Sequence, residues 1–476
     1  MGLEERDFVV IGAGPTGLRA ALTAARMGVD VTVIGEDPHH GGQIFRSLTS
    51  PLQTQGHIME LQDHQILDDL QSDLNKVDIH FLNKTIVWGI FDDNVIAFDK
   101  SNKSRIKAKK ILIAEGAYES PVAFPGWTLP GVMTLGGVQI LLKSQGIIPT
   151  GKIIVAGTGP LLFYTASQLI EKGADVKAVL EASSLKKWMR WTIHLLRAPG
   201  ILGKGIKYLN ILRKHHVPVY YSTVPLEAKG SDGLKEVIFA QVDKQWRPMP
   251  GTKKEMATDL LCLNFGFIPS TQFSHMAGCE HTCDPQIRGW LPKVNSSYET
   301  SVEGIHVAGD CTGIGGVKKA VLEGELVGNE VARYLGRISN TEADRHLSVL
   351  QKKIRGHLWY QQFLRKIYSF RPGLLDLLTD DTIICRCEEV NFGMISHLIE
   401  NKSCSLEEIK LRSRTGMGRC QGRFCYPTLL GIFSKVLSDE DVCNQNFVGR
   451  IPVKPLPLET LFDVSESDEA TNDTNL

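Results

Sequence analysis

The hydrophobic pattern of the first forty residues predicts a strand, a tight turn, a helix and a second strand. The apolar run Phe8–Ile11 leads into Gly12-Ala-Gly-Pro-Thr-Gly17, an alanine-rich stretch follows, and Val31–Ile34 forms a second apolar run. Glycines at these spacings allow a tight turn, close approach of a pyrophosphate and close packing of the helix on the strand. Glu36 lies 24 residues after Gly12, where an acid accepts hydrogen bonds from ribose hydroxyls. The segment predicts a dinucleotide-binding unit.

The same pattern returns 145 residues further along the chain. An apolar run again leads into a glycine turn, Gly157-x-Gly159, and Glu181 again lies 24 residues after the first glycine. Leu162 replaces the third glycine, and we expect it to push the helix off the strand and narrow the phosphate turn. The repeat predicts two dinucleotide-type domains. The second site keeps three alternatives: a nicotinamide cofactor, another adenine nucleotide, or no ligand.

Two later segments complete the first unit. Residues 111–117 predict a strand ending in a small-residue turn, and residues 303–310 predict a strand ending at Gly309-Asp310, with a helix from about Gly316. With these segments the chain resembles the flavoproteins that carry two dinucleotide-binding domains in a glutathione-reductase-like fold. The resemblance implies an α/β protein with two Rossmann-like domains, the FAD domain being split. It also implies that Asp310 binds the flavin ribityl chain, whereas the alternative is a simple helix cap.

The resemblance implies a set of cofactor-binding residues drawn from all these segments. For FAD they are Gly12, Gly14, Pro15, Thr16, Gly17, Glu36, Gly42, Gln43, Arg46, Ala114, Gly116, Gly309 and Asp310, and for the second site Gly157, Gly159 and Glu181. Disulfide reductases of this fold carry a cysteine pair beside the flavin, but residues 41–46 contain no cysteine. Thiol–disulfide reduction is therefore not expected. No catalytic acid–base pair is identified, and His39 and His40 are interpreted as loop residues.

Composition narrows the class of protein. The chain has 476 residues, 42% of them hydrophobic, and 53 basic residues balance 53 acidic ones, so no nucleic-acid partner is expected. A core strand in place of a signal peptide, and no apolar run of roughly 18 residues, predict a cytoplasmic protein. Ten cysteines in that compartment favour metal binding over disulfides. Cys279 and Cys283 are interpreted as ordinary loop thiols, with a redox or metal pair as the alternative, and Cys311 as a buried residue near the flavin.

Four cysteines near the C-terminus have the spacing of a metal centre. Cys385-Arg-Cys387 ends a short apolar strand, and Cys420-x4-Cys425 lies in a glycine-rich turn. Four thiolates can hold a tetrahedral zinc or a diiron cluster. Zinc sites usually use Cys-x-x-Cys turns, so the spacing favours [2Fe–2S]. Cys404 and Cys443 are interpreted as bystanders. Four arginines are interpreted as counter-charges to the cluster or as a solvated face: Arg386, Arg414, Arg419 and Arg423.

The cysteine segment resembles the bacterioferritin-associated-ferredoxin-like [2Fe–2S] domain. Together with the flavoprotein body and the Gly-Gly-Gln-Ile-Phe-Arg run, the whole chain resembles the FAD-containing α subunits of opine oxidases, the hydrogen cyanide synthase B subunits and the α subunits of proline or D-hydroxyproline dehydrogenases. The resemblance implies that a D-amino-acid-oxidase-like FAD β subunit oxidises an amine, and that electrons pass through this chain's FAD and cluster to a respiratory acceptor. Two further components are left open by the resemblance: a small ferredoxin-type subunit and an FMN at a subunit interface.

The expected domain division follows the same order. The ranges are 1–120 and 262–345 for the FAD domain, 121–261 for the second nucleotide domain, 346–374 for a helical connector, 375–445 for the [2Fe–2S] domain and 446–476 for an extended tail. Residues 182–226 contain eight Lys and Arg residues and no Asp or Glu. They also contain the aromatic and apolar residues Trp188, Trp191, Leu195 and Leu196. That composition suits a packed helix or peripheral contact with the inner face of a membrane.

Three functional hypotheses follow. The first is an electron-transferring subunit of a heteromeric amine, opine or imino-acid dehydrogenase. The second is a self-contained NAD(P)H oxidoreductase that reduces its own cluster. The third, from another class, is a redox sensor or scaffold with a structural zinc.

Overall fold

The structure, a computed structural model, describes residues 4–46, 61–99, 105–187, 199–284, 287–400, 405–443, 449–458 and 460. The helices are α1 Pro15–Arg26, α2 Leu61–Leu74, α3 Leu135–Ile140, α4 Pro160–Glu171, α5 Pro199–Lys214, α6 Gln272–Met276, α7 Val317–Tyr334, α8 Asn340–Tyr368, α9 Phe392–Glu400, α10 Leu406–Ser413, α11 Tyr426–Phe433 and α12 Asp439–Cys443. The strands are β1 Glu4–Ile11, β2 Val31–Ile34, β3 His80–Leu82, β4 Val87–Phe91, β5 Val95–Phe98, β6 Arg105–Ile113, β7 Ala117–Glu119, β8 Val132–Thr134, β9 Lys152–Gly157, β10 Asp175–Glu181, β11 Val219–Tyr221, β12 Thr223–Lys229, β13 Glu236–Gln241, β14 Lys254–Ala257, β15 Leu260–Asn264, β16 Phe267–Pro269, β17 His281–Asp284, β18 Gly289–Pro292, β19 Ile305–Val307, β20 Ile383–Cys385 and β21 Val390–Asn391.

The first sheet joins the two ends of the split domain. Its strands lie in the order β3-β2-β1-β6-β5-β4, and β19 pairs with β6. Strands β3, β2, β1, β6 and β19 are parallel, with Val9 opposite both Thr32 and Ile111. Helices cover both faces of such a sheet, so its central strands are continuous apolar runs. Residues 8–11 are accordingly all buried.

The second sheet repeats the arrangement. Five parallel strands lie in the order β11-β10-β9-β15-β8, and an antiparallel sheet of β12, β13 and β14 follows β11 in the chain. Leu162 of α4 is fully buried in the core of this unit, in one cluster with Val155 of β9. Strand β15 spans residue 262, where the sequence predicts the boundary between the two domains. The predicted repeat of the strand–helix–strand unit is therefore present in the fold.

The cysteine segment folds against the second nucleotide unit. Helix α8 leads to β20 and β21, and α9, α10 and α11 enclose a small core that is continuous with that of residues 122–265. Trp127 donates a hydrogen bond from Nε1 to the carbonyl oxygen of Ile383 at 2.6 Å. Among the described residues, no helix combines the length and apolar character that a bilayer crossing requires. Trp188, Trp191, Leu195 and Leu196, the apolar part of the predicted membrane-contacting segment, lie outside the described residues.

Gly324→Ala should destabilise the FAD domain because α7 packs closely on α1. A Cβ at residue 324 would lie 2.2 Å from the carbonyl oxygen of Thr16, and overpacking of this kind costs about 1–3 kcal/mol. Gly356→Ala in α8 is the matched control, because no neighbouring atom lies within 4 Å of its added Cβ. Urea unfolding should show a loss for the first variant only, and equal stabilities of the two variants would contradict the prediction.

Candidate functional site

The first nucleotide turn is built by close backbone approaches. Gly12 has a φ of +111°, and a Cβ there would lie 2.5 Å from the carbonyl oxygen of Ala114. A Cβ on Gly42 would lie 2.8 Å from the Cα of Gly14, whereas Gly14 itself borders open space. Helix α1 begins at Pro15, and its N-cap residue contributes no side-chain hydrogen bond. Five residues predicted to bind FAD thus meet at a helix N-terminus suited to a pyrophosphate.

Helix α1 also brings the end of the split domain to this turn. A Cβ on Gly17 would lie 2.0 Å from the carbonyl oxygen of Gly12, so the helix contacts the turn directly. A Cβ on Gly309 would lie 2.4 Å from the Oγ1 of Thr16. Residues separated by almost 300 positions in the sequence are therefore in contact, as the split FAD domain requires.

A buried ion pair that the sequence analysis did not identify fixes the Gly309 turn. The N–H of Gly309 donates to Glu323 Oε2 at 2.6 Å, and the ammonium group of Lys319 lies 2.5 Å from Glu323 Oε1. The side chains of Lys319 and Glu323 are 5% and 0% exposed. Their i,i+4 spacing was visible in the sequence, but such pairs usually lie in solvent. The contact with Gly309 is what distinguishes this pair.

Asp310 caps the turn before α7. Its Oδ1 accepts hydrogen bonds from the N–H groups of Gly315 at 3.0 Å and Gly316 at 3.4 Å. These bonds hold Asp310 in the turn that precedes α7, and its role at the flavin ribityl chain stays a prediction. Beside it, Cys311 is fully buried and its Sγ accepts from the N–H of Gly116 at 3.0 Å. Burial raises the pKa of the Cys311 thiol, which keeps it protonated.

Three of the predicted FAD residues lie at the edge of this arrangement. Gln43 is exposed, and Arg46 pairs with Asp37 at 3.3 Å. The carboxylate of Glu36, at the end of the segment that follows β2, forms an ion pair with the ammonium group of Lys454. The sequence analysis did not anticipate this contact because it crosses more than 400 residues.

The four predicted metal ligands lie together as two pairs. Cys385 is hydrogen-bonded to Cys425, and Cys387 to Cys420, and the thiols of Cys420 and Cys425 are in electrostatic contact. The hydrogen bond with Cys425 lowers the pKa of Cys385 to about 6, which favours the thiolate form that metals bind. Within the described residues, no three His, Cys, Asp or Glu side chains converge as ligands of one ion would. Two thiol pairs suit a diiron cluster, in which each iron takes two cysteines, better than one zinc ion.

Residues 416–425, the cysteine loop, lie beside the FAD-binding half of the chain. They face residues 114–118, the segment after β6. Arg423, between Cys420 and Cys425, exerts an electrostatic effect on Glu115 and Tyr118, and it lines one cavity together with Tyr118. Burial raises the pKa of Glu115 to about 7 against the opposing charge of Arg423. Ala114, Glu115 and Gly116 belong to the predicted FAD-binding segment. The cysteine loop and the predicted FAD-binding segment therefore lie near each other.

Comparisons with known proteins agree with this geometry. Residues 6–324 match the pyridine nucleotide-disulphide oxidoreductase family, and residues 383–435 match the BFD-like [2Fe-2S] binding domain. Hydrogen cyanide synthase subunit HcnB of Pseudomonas protegens is 30% identical over 98% of this chain and 99% of its own length. The opine oxidase A-subunit of Rhizobium meliloti is 32% identical over 98% of this chain and 88% of its own length. The chain belongs to the opine oxidase A-subunit family.

A solved structure supports the fold. L-proline dehydrogenase from P. horikoshii is similar with a TM-score of 0.68 and 19% identity, covering 97% of this chain and 80% of that one. The predicted family, the α/β fold with two Rossmann-like units, and the assignment as an FAD-dependent oxidoreductase are confirmed. The domain ranges and the individual cofactor-binding residues stay predictions.

The second nucleotide turn of this family member is filled by its own acid. Glu181 is 0% exposed, and its carboxylate accepts hydrogen bonds from Thr158 Oγ1 at 2.7 Å, the N–H of Gly159 at 3.1 Å and the N–H of Ser183 at 2.8 Å. One of these donors, the N–H of Gly159, is a group that a bound pyrophosphate would need. Gly157 keeps the close turn, since a Cβ there would lie 1.7 Å from a backbone oxygen. The predicted residues are together, but they bind one another.

The end of α8 closes the same turn from outside. The carbonyl oxygen of Ile367 accepts hydrogen bonds from Ser183 Oγ at 3.0 Å and from Lys187 Nζ at 2.8 Å, and the side chain of Ile367 is fully buried. Burial raises the pKa of the neighbouring Tyr368 hydroxyl, and the charge of Glu181 adds to this effect. A pyrophosphate that took the N–H of Gly159 would displace Glu181 from it, and a nicotinamide cofactor stays one of the alternatives for this site.

Two cysteines interpreted as separate thiols form a disulfide. Cys283 of β17 is bonded to Cys443 of α12, joining a hairpin of the flavin half to the end of the cysteine segment. The interpretation of Cys283 as a loop thiol and of Cys443 as a bystander is therefore wrong, because the fold brings together residues 160 positions apart. Cys279 is free and contacts Thr300, and Cys404 lies outside the described residues.

Ionisation of Glu181 should lower stability as the pH rises. Burial raises the pKa of this carboxyl from 4.5 to about 7, so between these values the folded chain holds a proton that the unfolded chain has released. The free energy of unfolding should therefore fall as the pH increases through this window. In Glu181→Gln, which cannot ionise, the loss between pH 5 and pH 8 should shrink by on the order of 2 kcal/mol. Chemical unfolding at both pH values tests this, with the exposed Glu171→Gln as control, and a wild-type pH profile for Glu181→Gln would contradict it.

Proposed function

We propose that this chain is the FAD- and [2Fe–2S]-containing electron-transfer subunit of a heteromeric dehydrogenase or oxidase that acts on an amine, opine or imino acid. A partner subunit of the D-amino-acid-oxidase type would remove hydride from the substrate. This chain would then pass the electrons through its FAD to its cluster, and from there to a respiratory acceptor. Relatives named as subunits of hydrogen cyanide synthase, opine oxidase and sarcosine oxidase support the heteromeric assignment.

The observation that carries the proposal is the contact between the cysteine loop and the segment after β6. Arg423 exerts an electrostatic effect on Glu115 and Tyr118, Cys420 and Cys425 act on Tyr118 in the same way, and Tyr118 and Arg423 line one cavity. Bound FAD would supply two-electron oxidation and reduction at one side of this segment, and a bound cluster would take electrons singly at the other. A short protein bridge between two such centres favours internal electron transfer over release of electrons at the flavin.

The chain's own residues would orient the flavin and hold its charge. Helix α7 begins directly after Gly316, and the positive end of its dipole favours an anionic ring. Asp310 holds the N–H groups of the turn that leads into this helix, and the Lys319–Glu323 pair holds the turn at Gly309. On the other side, Arg423 places a positive charge beside Glu115, where it can offset negative charge on the cluster. These groups position and stabilise the cofactors, and none is assigned to substrate chemistry.

The alternatives have weaker support. A self-contained NAD(P)H oxidoreductase needs a nucleotide at the second turn, but Glu181 accepts the hydrogen bond of the Gly159 N–H there. A zinc scaffold has less support because residues 383–435 match the BFD-like [2Fe-2S] binding domain. A zinc scaffold would also give no role to the closeness of the cysteine segment and the predicted FAD-binding segment.

Rapid mixing separates the proposed electron-transfer role from a self-contained enzyme. Because the second turn is filled, NADH or NADPH should leave the flavin absorbance of the purified chain unchanged over seconds. The co-purified partner complex should instead lose flavin absorbance with one member of a panel of opines, imino acids and glycine. The isolated chain mixed with the same panel is the control. Prompt bleaching of the isolated chain by either nicotinamide would contradict the proposal.

A further inference from the structure

The C-terminal tail runs from the cysteine loop to the flavin half of the same chain. Gln421, beside Cys420, donates a hydrogen bond from Nε2 to the carbonyl oxygen of Pro452, and its Oε1 accepts from the N–H of Arg450 at 3.0 Å. Gln421 therefore contacts the tail twice. The sequence analysis predicted an extended tail here, and the surface that the tail contacts first is the loop that carries two of the predicted cluster ligands.

The middle of the tail is anchored in the core of the first sheet. The N–H of Val453 donates to the carbonyl oxygen of Trp88 at 3.1 Å. The side chain of Val453 is 1% exposed and packs in one cluster with Val9 and Ile34. Burial of a whole valine side chain is worth roughly 1.5–3 kcal/mol, so this anchor fixes the position of the next residue.

The next residue reaches the predicted ribose acceptor. The ammonium group of Lys454 forms an ion pair with Oε1 of Glu36, and its side chain is 21% exposed. It also lies 5.8 Å from the ring centroid of Phe273. Burial lowers the pKa of Lys454 to about 8.

We propose that residues 449–458 form a strap over the adenosine end of the FAD site, and that Lys454 positions Glu36 as the acceptor of the ribose hydroxyls. The ion pair uses Oε1, so the second carboxylate oxygen can accept from the ribose. Glu181, the equivalent acid of the repeat, instead accepts hydrogen bonds within its own turn. The ion pair with Lys454 gives the carboxylate of Glu36 a partner outside its own turn. This inference rests on FAD binding, not on the identity of the amine or the acceptor.

The strap would also couple the two cofactor sites. The same ten residues contact Gln421 at one end and Glu36 at the other, with Val453 fixed between them. FAD bound under the strap would therefore restrain the loop between Cys420 and Cys425. Removal of the strap is expected to loosen FAD first, because the direct contact is with its predicted ribose acceptor.

FAD affinity of reconstituted apoprotein tests the role of Lys454. Loss of a charge-assisted contact worth about 1.5 kcal/mol should weaken FAD binding about tenfold in Lys454→Ala, measured by quenching of flavin fluorescence. Lys454→Arg should restore most of the affinity, because the charge is kept. Lys293→Ala removes a lysine from an exposed pair with Glu280 and should bind FAD as the wild type does. Apoprotein stability should be equal in all variants, which separates positioning from a merely structural role.

A double substitution tests whether Lys454 acts through Glu36. If it does, Glu36→Gln combined with Lys454→Ala should bind FAD no more weakly than Glu36→Gln alone. Unchanged or tighter FAD binding by Lys454→Ala would overturn the proposal, since tighter binding would mean that the lysine competes with the ribose. These measurements need no electron acceptor. Failure of the strap proposal would therefore leave normal electron transfer in the partner complex, whereas failure of the proposed function would leave these affinities as predicted.

Discussion

The junction between the cysteine loop, at Arg423, and the segment after β6 is the constraint on which the proposed function depends. It joins a flavin-binding fold, held together by the close approach of Gly12 to Ala114, to a cysteine module from the far end of the chain. Three other features stabilise the same junction. They are the packing of that module on the second nucleotide unit, the disulfide of Cys283 with Cys443 and the C-terminal tail. The second nucleotide unit is the platform on which the cysteine module packs.

Much of this architecture could be predicted because it depends on local patterns. Strand β2 lies over Val31–Ile34 as expected, and the predicted helix near residue 316 begins at Val317. Glycine spacing determines how close backbones can come, so the first turn could be built from the sequence. The cysteine spacing likewise indicated which thiols meet. What the sequence did not indicate was long-range pairing, such as Cys283 with Cys443 or Lys454 with Glu36, because no periodicity connects such residues.

The two copies of the repeat show how similar sequences can have different sites. Glu36 and Glu181 occupy equivalent positions, yet one is half exposed and paired with a lysine, and the other is fully buried and bonded to its own turn. The difference comes from what covers each unit. The tail contacts the first site through Lys454, whereas the carbonyl oxygen of Ile367, at the end of α8, accepts hydrogen bonds from Ser183 and Lys187 beside the second. Leu162 was the residue expected to damage the second turn, but it is an ordinary core residue.

The account's central claim is that FAD and the cluster exchange electrons within this chain. Its most direct test is flash photoreduction of the flavin in the purified chain without nicotinamide, followed by freeze-quench EPR. The account predicts that the signal of a reduced [2Fe–2S] cluster rises within milliseconds as the reduced-flavin absorbance decays. A persistent reduced flavin with no iron signal, or stoichiometric zinc in place of iron, would contradict it.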